Sequence, residues 1–383
     1  MLKIKLRRDL IYLLVLYIIE FFRKLALILI YNVLKFDGPY IFLFLNGFGT
    51  FIGGLTLYLY YIYSFRKKKV VNYFKLDIIH NQAILLKTQD GDLKKIILIF
   101  FAGFFDFYEF ILDYSYTRLR LKFNVSISIE IGERMGCLST IVSSLICIYA
   151  LRFTIGKHHK FSLIGLSICF CLTLIIEIIY KPEKELISKF LFAYFLLCFY
   201  FICISFTDCI ERYLVDFNFL NPFKVLMLEG IIECIISIFY SINKDPFNEF
   251  ILYYENNNKS QFIIFIFLLI LYFLLVSTAN VYKIYCNCYY SPMARSLTDY
   301  FFTPIFNIIH FFTWEDFKNS YLYFFLSELI YIFSDFFCCV YNEYLILTCC
   351  GLEYDTKDEI SERALISEMD NINIEDDNQE NNE

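Results

Sequence analysis

The chain has 383 residues, of which 58% are hydrophobic and 21% are aromatic, and this is too apolar for a soluble domain of its size. The formal net charge of −6 comes largely from acidic residues after Gly351, so it does not describe the surface of a folded domain. These features exclude an ordinary soluble domain and leave no basic platform for nucleic acid. They predict an all-α, polytopic membrane protein.

A basic segment at residues 1–10 precedes an apolar run from Ile11 to about Leu34. Its positive charges are Lys3, Lys5, Arg7 and Arg8. The apolar run is too long for the core of a signal peptide, and no small-residue cleavage site follows it. We therefore predict a signal-anchor first helix whose N-terminus is cytoplasmic.

Nine further apolar runs follow, each near the roughly 20 residues that a membrane-spanning helix needs. They lie at about 40–64, 96–115, 132–151, 161–180, 186–208, 223–242, 261–282, 293–313 and 320–345. We predict ten transmembrane helices, five in a first repeat at 11–180 and five in a second repeat at 186–345. Residues 346–383 are predicted to form an acidic, disordered cytoplasmic tail.

The basic residues of the loops indicate the orientation. If the N-terminus is cytoplasmic, the loops at 65–95 and 152–160 are cytoplasmic as well, and both are rich in Lys and Arg. Two glycosylation sequons, at 124–126 and 258–260, then fall on the outer or lumenal face. Three basic residues do not fit this orientation, because they fall on the outer or lumenal face: Arg118, Arg120 and Lys122.

Short motifs recur in the two halves of the chain. Leu45-Asn46-Gly47, near the start of the second run, has a counterpart in Leu228-Glu229-Gly230, near the start of the seventh. Arg134 opens the fourth run as Arg295 opens the ninth. A repeated unit of five spans inverts its topology, and binding sites in such proteins lie near the midplane between the halves.

Charged residues inside the apolar runs are the candidate site. Glu229 and Glu233 share one face of the seventh run, and Arg295 and Asp299 share one face of the ninth. Ionisable groups at this depth are costly unless they are paired or face water. We predict a cross-helix pair between one of the glutamates and Arg295. These residues either line a cavity, with Arg295 contacting substrate and a glutamate taking up a proton, or form a permanent ion-pair brace.

An acidic stripe on the third run comprises Asp106, Glu109 and Asp113. It either binds a cation or approaches the lumenal surface. No phosphate-binding glycine loop, nucleophile elbow or zinc-ligand pair is found, so we predict no enzyme, no catalytic residue, no cofactor and no bound metal. The fourteen cysteines are expected to pack as small buried hydrophobes, and the histidines to lie mostly in loops. The histidines are His80, His158, His159 and His310.

Several motifs resemble the drug/metabolite transporter superfamily (EamA-like), in particular solute carrier family 35, subfamily F. They are Ala294-Arg295-Ser296-Leu297-Thr298-Asp299, Thr303, Trp314-Glu315-Asp316-Phe317, Tyr341-Asn342-Glu343, the Glu-Gly of Leu228-Glu229-Gly230, and the stretch from Leu138 through Lys157 to Gly165. The resemblance implies a 5+5 inverted repeat and transport by alternating access. Our candidates for substrate binding are Glu229, Glu233, Arg295, Asp299, Arg134 and Asn46.

The chain departs from that family in two respects. Phe302 stands where subfamily F usually has a second basic residue, which argues against an anionic substrate such as a nucleotide sugar. Several glycines expected at helix contacts are absent, which implies looser or different helix packing.

We therefore expect a membrane transporter of a small metabolite that is either proton-coupled or an exchanger. One alternative is a non-transporting, transporter-like receptor or assembly partner that acts through its acidic C-terminal tail. A membrane-embedded lipid-modifying enzyme is a second alternative, but the catalytic motifs it needs are missing. The expected partners are a small-molecule substrate and the lipid bilayer, without nucleic acid and with a homodimer left open. The resemblance favours an internal membrane (Golgi, endosomal or lysosomal) over the plasma membrane, with both termini cytoplasmic.

Overall fold

The computed structural model describes most of the apolar part of the chain. The described residues are 2–4, 11–36, 38–66, 91–123, 136–151, 155–179, 187–242, 246–295, 321–347, 351–352 and 356. Within these ranges the chain is almost entirely helical. The prediction of an all-α protein is confirmed.

Ten α-helices and one two-stranded sheet make up the described residues. The helices are α1 (Ile11–Ile28), α2 (Pro39–Arg66), α3 (Asp92–Phe123), α4 (Cys137–Tyr149), α5 (Lys157–Ile179), α6 (Ile187–Asp216), α7 (Pro222–Ser241), α8 (Pro246–Asn256), α9 (Lys259–Tyr289) and α10 (Tyr321–Tyr341). A π-helical segment, Leu29–Val33, extends α1. Strands β1 (Leu2–Ile4) and β2 (Leu345–Leu347) pair antiparallel, with Leu2 opposite Leu347.

Five of these helices are long and apolar enough to cross a bilayer. The candidate spans are Pro39–Ser64, Lys157–Ile176, Tyr194–Asp216, Lys259–Tyr289 and Tyr321–Tyr341. Large apolar side chains are exposed along them, for example Phe267, Ile270 and Leu274 on α9. A surface of this kind is stable against lipid and unstable in water. The described helices are therefore those of an integral membrane protein.

Helices α2 and α7 pack backbone against backbone. A Cβ atom added to Gly230 of α7 would lie 2.2 Å from the backbone nitrogen of Phe51, and one added to Gly54 of α2 would lie 2.4 Å from that of Met227. Only glycine permits so close an approach. Scarce glycine was expected to give looser or different helix packing, but this pair of helices packs closely, because Gly47, Gly54 and Gly230 lie at the contact.

The two helices run antiparallel, and their contacts are reciprocal. Gly47 faces Cys234, which lies four residues after Gly230, and Gly230 faces Phe51, which lies four residues after Gly47. The two motifs that the sequence analysis matched, Leu45-Asn46-Gly47 and Leu228-Glu229-Gly230, thus lie on helices in direct contact.

Two further sets of contacts position the interior. Helix α3 packs against α6 and α7, and the rings of Phe105 and Phe206 stack with centroids 5.3 Å apart. Helix α9 packs against α1 and α2, and the rings of Tyr12 and Tyr285 are 4.8 Å apart. Helices α2, α3, α6, α7 and α9 therefore surround a common interior.

Helices α4, α5 and α10 form a second group of contacts. Helix α5 packs against α10, where a Cβ on Gly165 would lie 2.4 Å from the ring of Phe337. Helix α4 packs against α5 and α6. Its Ser139 hydroxyl is 3.4 Å from that of Ser205 on α6.

Several helix boundaries differ from the predicted runs, and two of the differences matter for the site. Helix α6 continues eight residues beyond Asp208, to Asp216, and α9 continues beyond Tyr282 to Tyr289. From the sequence, the polar residues that follow each apolar run were interpreted as the start of a loop. In the structure these polar side chains have buried partners, so the helix continues past the end of the apolar run. The short helix α8 lies within a segment that was predicted to be a loop.

Candidate functional site

Charged and amide side chains are concentrated in the interior between α2, α3, α6, α7 and α9. We call this group the buried charge cluster. It comprises Asn46, Asp106, Glu109, Asp208, Glu211, Glu229, Glu233, Lys283, Asn287 and Arg295. Charged residues are rarely buried in proteins, and within a membrane protein they usually line a pathway or form paired networks.

Lys283 of α9 is held by two carboxylates of α3. Its Nζ lies 2.9 Å from Oδ1 of Asp106 and 3.3 Å from Oε2 of Glu109. Asp106 and Glu109 are three residues apart on one helix, so both can face the same partner. Two members of the acidic stripe predicted on the third run thus form ion pairs with a lysine of the same chain. The side chain of Asp113, the third member of the predicted stripe, lies outside the described residues.

Arg295 forms an ion pair with Asp208. Its guanidinium Nη1 lies 3.2 Å from Oδ2 of Asp208, and the Asp208 side chain has no exposed surface. The residue lies in a helical turn at 292–295, where the backbone nitrogen of Ala294 donates to the Ser291 hydroxyl at 2.9 Å. A cross-helix pair was predicted for Arg295, but its partner was predicted to be a glutamate of α7. The observed partner is on α6, because α6 remains helical past Asp208 and carries that side chain into the interior.

Asn287 joins α9 to α6. Its Nδ2 donates to the backbone oxygen of Asp208 at 2.8 Å and to Oε2 of Glu211 at 2.7 Å. Its Oδ1 is buried and has no hydrogen-bond partner among the described residues. Arg212 adds a second link between the helices, since its guanidinium donates to the backbone oxygens of Asn287, at 3.0 Å, and Cys288. These hydrogen bonds between α6 and α9 therefore hold Oδ1 of Asn287 in place.

Asn46 holds Glu233 through a hydrogen bond. Its Nδ2 donates to Oε2 of Glu233 at 3.1 Å, between α2 and α7. Thr50 donates to the backbone oxygen of Asn46 at 3.0 Å, and Asn280 of α9 donates to the Thr50 hydroxyl at 2.6 Å. This chain of hydrogen bonds links α9, α2 and α7 next to their glycine contacts.

The two glutamates of α7 are incompletely satisfied. Glu229 and Glu233 are 2% and 1% exposed, and Oε1 of each has no hydrogen-bond partner among the described residues. Glu211 is near enough to Glu229, and Asp106 to Glu233, for their negative charges to repel. Two neighbouring buried carboxyl groups cannot both be ionised without strong repulsion. A shared proton or a bound cation would relieve it.

Among the described residues, the charges of the cluster do not balance. Six carboxyl groups, those of Asp106, Glu109, Asp208, Glu211, Glu229 and Glu233, accompany two cations, Lys283 and Arg295. An unpaired buried charge costs several kcal/mol, so the excess of carboxyl groups favours uptake of protons or of a cation. The geometry suits a site that binds and releases protons or another cation.

Four of the six predicted site residues fall within the described part of the chain. Glu229, Glu233, Asn46 and Arg295 all belong to the buried charge cluster. Arg134 and Asp299 lie outside the described residues. Four further members were not predicted from the sequence: Asp208, Glu211, Lys283 and Asn287. Their spacing of three or four residues on α6 and on α9 is the signal that could have found them.

The motifs quoted for the resemblance are only partly covered by the structure. Thr303 and the segment 314–317 lie outside the described residues, whereas Leu228-Glu229-Gly230 lies at the closely packed contact of α2 and α7. A scan against protein-family models and a search of curated proteins find no match to this chain.

Proposed function

We propose that the protein transports a small solute across its membrane by alternating access, and that the buried charge cluster is the site of the substrate and of a coupled proton. The observation that carries this proposal is the excess of carboxyl groups in the interior between α2, α3, α6, α7 and α9, which we place within the membrane. Ionisable residues at that depth commonly mark substrate and ion pathways or proton relays. The excess of negative charge favours a cationic or neutral solute over an anionic one.

The neighbour relationships of the helices support ten spans in a 5+5 inverted repeat. In that assignment α1, α2 and α3 correspond to α6, α7 and α9. Helix α3 packs on α6 and α7, and its counterpart α9 packs on the corresponding helices α1 and α2. Helices α2 and α7 are counterparts and contact each other, and so do α5 and α10. Both contacts are therefore preserved when the two halves are exchanged. Related halves of this kind build the binding sites of many secondary transporters.

A further contact fits the same assignment. Helix α4 packs on α6. The ninth span is the counterpart of α4, and α1 is the counterpart of α6, so the repeat would make the ninth span pack on α1. Arg295, at the predicted start of the ninth span, lies within electrostatic range of Glu20 of α1. The halves would then be 11–180 and 186–345, as the sequence predicted.

The terminal strands support an even number of spans. β1 precedes the first helix and β2 follows the last, and the two strands pair with each other. Both must therefore lie on the same side of the membrane. Ten spans satisfy this requirement, whereas five do not.

The proposed mechanism uses the contact between α2 and α7 as a pivot. This contact joins the two halves, and it is fixed by backbone packing at Gly47, Gly54 and Gly230. The cluster lies beside it, so a change of charge there would act directly on the packing of the halves. Protonation of Glu229 or Glu233 would release repulsion with Glu211 or Asp106 and would favour one arrangement over the other.

The test is uptake into proteoliposomes containing the full chain, with small organic cations, nucleotides and nucleotide sugars offered with and without a pH gradient. We expect uptake of a cationic or neutral solute that Glu229→Gln and Arg295→Ala abolish. Glu255→Gln serves as the matched control, because Glu255 is an exposed residue of α8. The control should transport like the wild type.

Two outcomes would contradict the proposal. The first is wild-type protein that is folded and transports none of the three solute classes. The second is uptake that persists in both cluster variants, which would make the cluster a structural brace.

A further inference from the structure

A second polar group lies where α5 begins and α10 ends. His158 and His159 belong to the first turn of α5, and Glu343 follows the last residue of α10 by two positions. Nε2 of His158 lies 3.1 Å from Oε1 of Glu343. Each of the three residues offers one ligand atom, and these atoms lie within 4.8 Å of one another.

His158 is buried without a full set of partners. It is 3% exposed, and apart from the approach of Glu343 neither ring nitrogen has a hydrogen-bond partner among the described residues. Buried imidazole nitrogens normally donate to or accept from a neighbour. Within the described part of the chain, the ring therefore keeps capacity for a further partner.

Glu343 occupies a backbone conformation that glycine usually takes. Its φ is 57°, in the left-handed region, and the following amide of Tyr344 donates to the oxygen of Cys339 at 2.9 Å, which closes the turn after α10. Glycine or asparagine is common at this position after a helix. A glutamate in this strained position directs its carboxylate at the histidine pair, and strain of this kind is typical of functional sites.

We propose that His158, His159 and Glu343 bind a divalent transition-metal ion, with Zn²⁺ as the favoured ion. Two imidazoles and one carboxylate are ligands that suit Zn²⁺, whereas Mg²⁺ and Ca²⁺ prefer oxygen ligands alone. Neighbouring ligand atoms in a tetrahedral zinc site are about 3.3 Å apart, which the pair of His158 and Glu343 nearly matches. Three protein ligands leave a fourth position for water or another ligand.

Neighbouring groups hold the His159 ring in place. The backbone nitrogen of Gly156 donates to its Nδ1 at 3.2 Å, and the ring of Tyr341 meets it edge to face with centroids 4.8 Å apart. A metal at Nδ1 would replace the hydrogen bond from Gly156. A bound ion would cross-link the start of α5 to the end of α10, independently of whether the protein transports a solute.

The test is binding of Zn²⁺ to the full-length protein in lipid nanodiscs, measured by competition with a chromogenic zinc chelator and by thermal unfolding. We expect one Zn²⁺ per chain at this site and a rise in the unfolding temperature on binding. Glu343→Gly and His158→Gln should each weaken the binding by about tenfold or more. A matched control is His80→Gln with His310→Gln, which removes the other two histidines and should leave binding unchanged.

Glu343→Gly separates loss of the site from loss of the fold. Glycine suits the left-handed backbone, so the variant without metal should be at least as stable as the wild type. It should nevertheless lose the zinc-induced rise in unfolding temperature. Equal zinc affinity in the wild type, Glu343→Gly and His158→Gln would overturn the proposal, as would wild-type protein that binds no zinc.

Cobalt distinguishes this site from the cysteines. Co²⁺ at a site of nitrogen and oxygen ligands should show weak visible bands without the intense near-ultraviolet absorption of a cobalt thiolate. Strong thiolate absorption in the wild type would assign the metal to cysteine and would contradict the proposal.

Discussion

At the scale of single residues, the buried charge cluster contains two kinds of side chain. Lys283 forms ion pairs with both Asp106 and Glu109, at 2.9 and 3.3 Å. Glu229 and Glu233 each keep one carboxylate oxygen without a hydrogen-bond partner among the described residues. A residue that serves structure alone should be satisfied, whereas a residue that binds and releases an ion must leave capacity free. Stability measurements can therefore separate a brace from a binding group.

We predict that Lys283→Met destabilises the protein far more than Glu229→Gln. Removal of Lys283 leaves two largely buried carboxylates without their cation, which costs roughly 3–5 kcal/mol when a buried pair is broken. Glu229→Gln removes a carboxyl group that repels its neighbours, so the unfolding free energy should fall by less than about 1 kcal/mol or should rise. Unfolding of the purified variants in detergent or nanodiscs provides the measurement.

Lys259→Met is the control for this comparison, because Lys259 lies on the same helix, α9, and is exposed. Its stability should match that of the wild type. Neutralising the partners as well, with Asp106→Asn and Glu109→Gln in the Lys283→Met background, should restore much of the loss. Equal destabilisation by Lys283→Met and Glu229→Gln would show that both groups belong to one static brace.

At the scale of helices, the contact of α2 with α7 has the greatest structural consequence. Glycine lowers the helix-forming tendency of both segments, and alanine at the same positions would favour each helix by about 1 kcal/mol. The close approach opposes this gain, because a Cβ at Gly230 would lie 2.2 Å from a backbone atom of Phe51, which cannot rotate away. Packing should therefore outweigh propensity.

We predict that Gly230→Ala destabilises the protein by about 1–3 kcal/mol or more, as overpacked interiors do. Gly91→Ala is the matched control, because a Cβ there meets no atom of the described residues within 4 Å. The control should change stability by less than about 0.5 kcal/mol. Thermal unfolding of both variants tests the prediction, and a Gly230→Ala variant as stable as the wild type would mean that α2 and α7 are not in backbone contact.

At the scale of the whole molecule, pairing of β1 with β2 brings the two ends of the helical region together. The proposed ten spans then place both termini on the cytoplasmic face, where the basic residues of the N-terminal segment favour the inside. We predict that epitope tags added before Met1 and after Glu383 are both accessible to antibody in cells whose plasma membrane alone is permeabilised. Tags on opposite sides of the membrane would contradict an even number of spans.

The sequence predicted several features of the site and missed the partners of its charges. It located Glu229, Glu233 and Arg295 and matched the motif of Asn46 to that of Glu229, which lie on neighbouring helices. It predicted an ion pair between Arg295 and a glutamate of α7, whereas in the structure Arg295 forms an ion pair with Asp208. Asp208 and Lys283 lay at or just beyond the predicted ends of their runs, so hydropathy gave them no interior role. Likewise, His158 and His159 lie far from Glu343 in the chain, and no spacing rule connects them.

By itself, the sequence determined that the chain folds into apolar helices suited to a bilayer, because helical periodicity and hydropathy are local properties of consecutive residues. It also determined which charges share a face, since residues four apart on one helix must point the same way. Only the tertiary structure decided which helices meet, and therefore which charges pair. That choice depends on the close glycine contact of α2 with α7 and on the crossing of α3, α6 and α9 beside it. These contacts lie between residues distant in the chain, so the site exists only once the helices have packed.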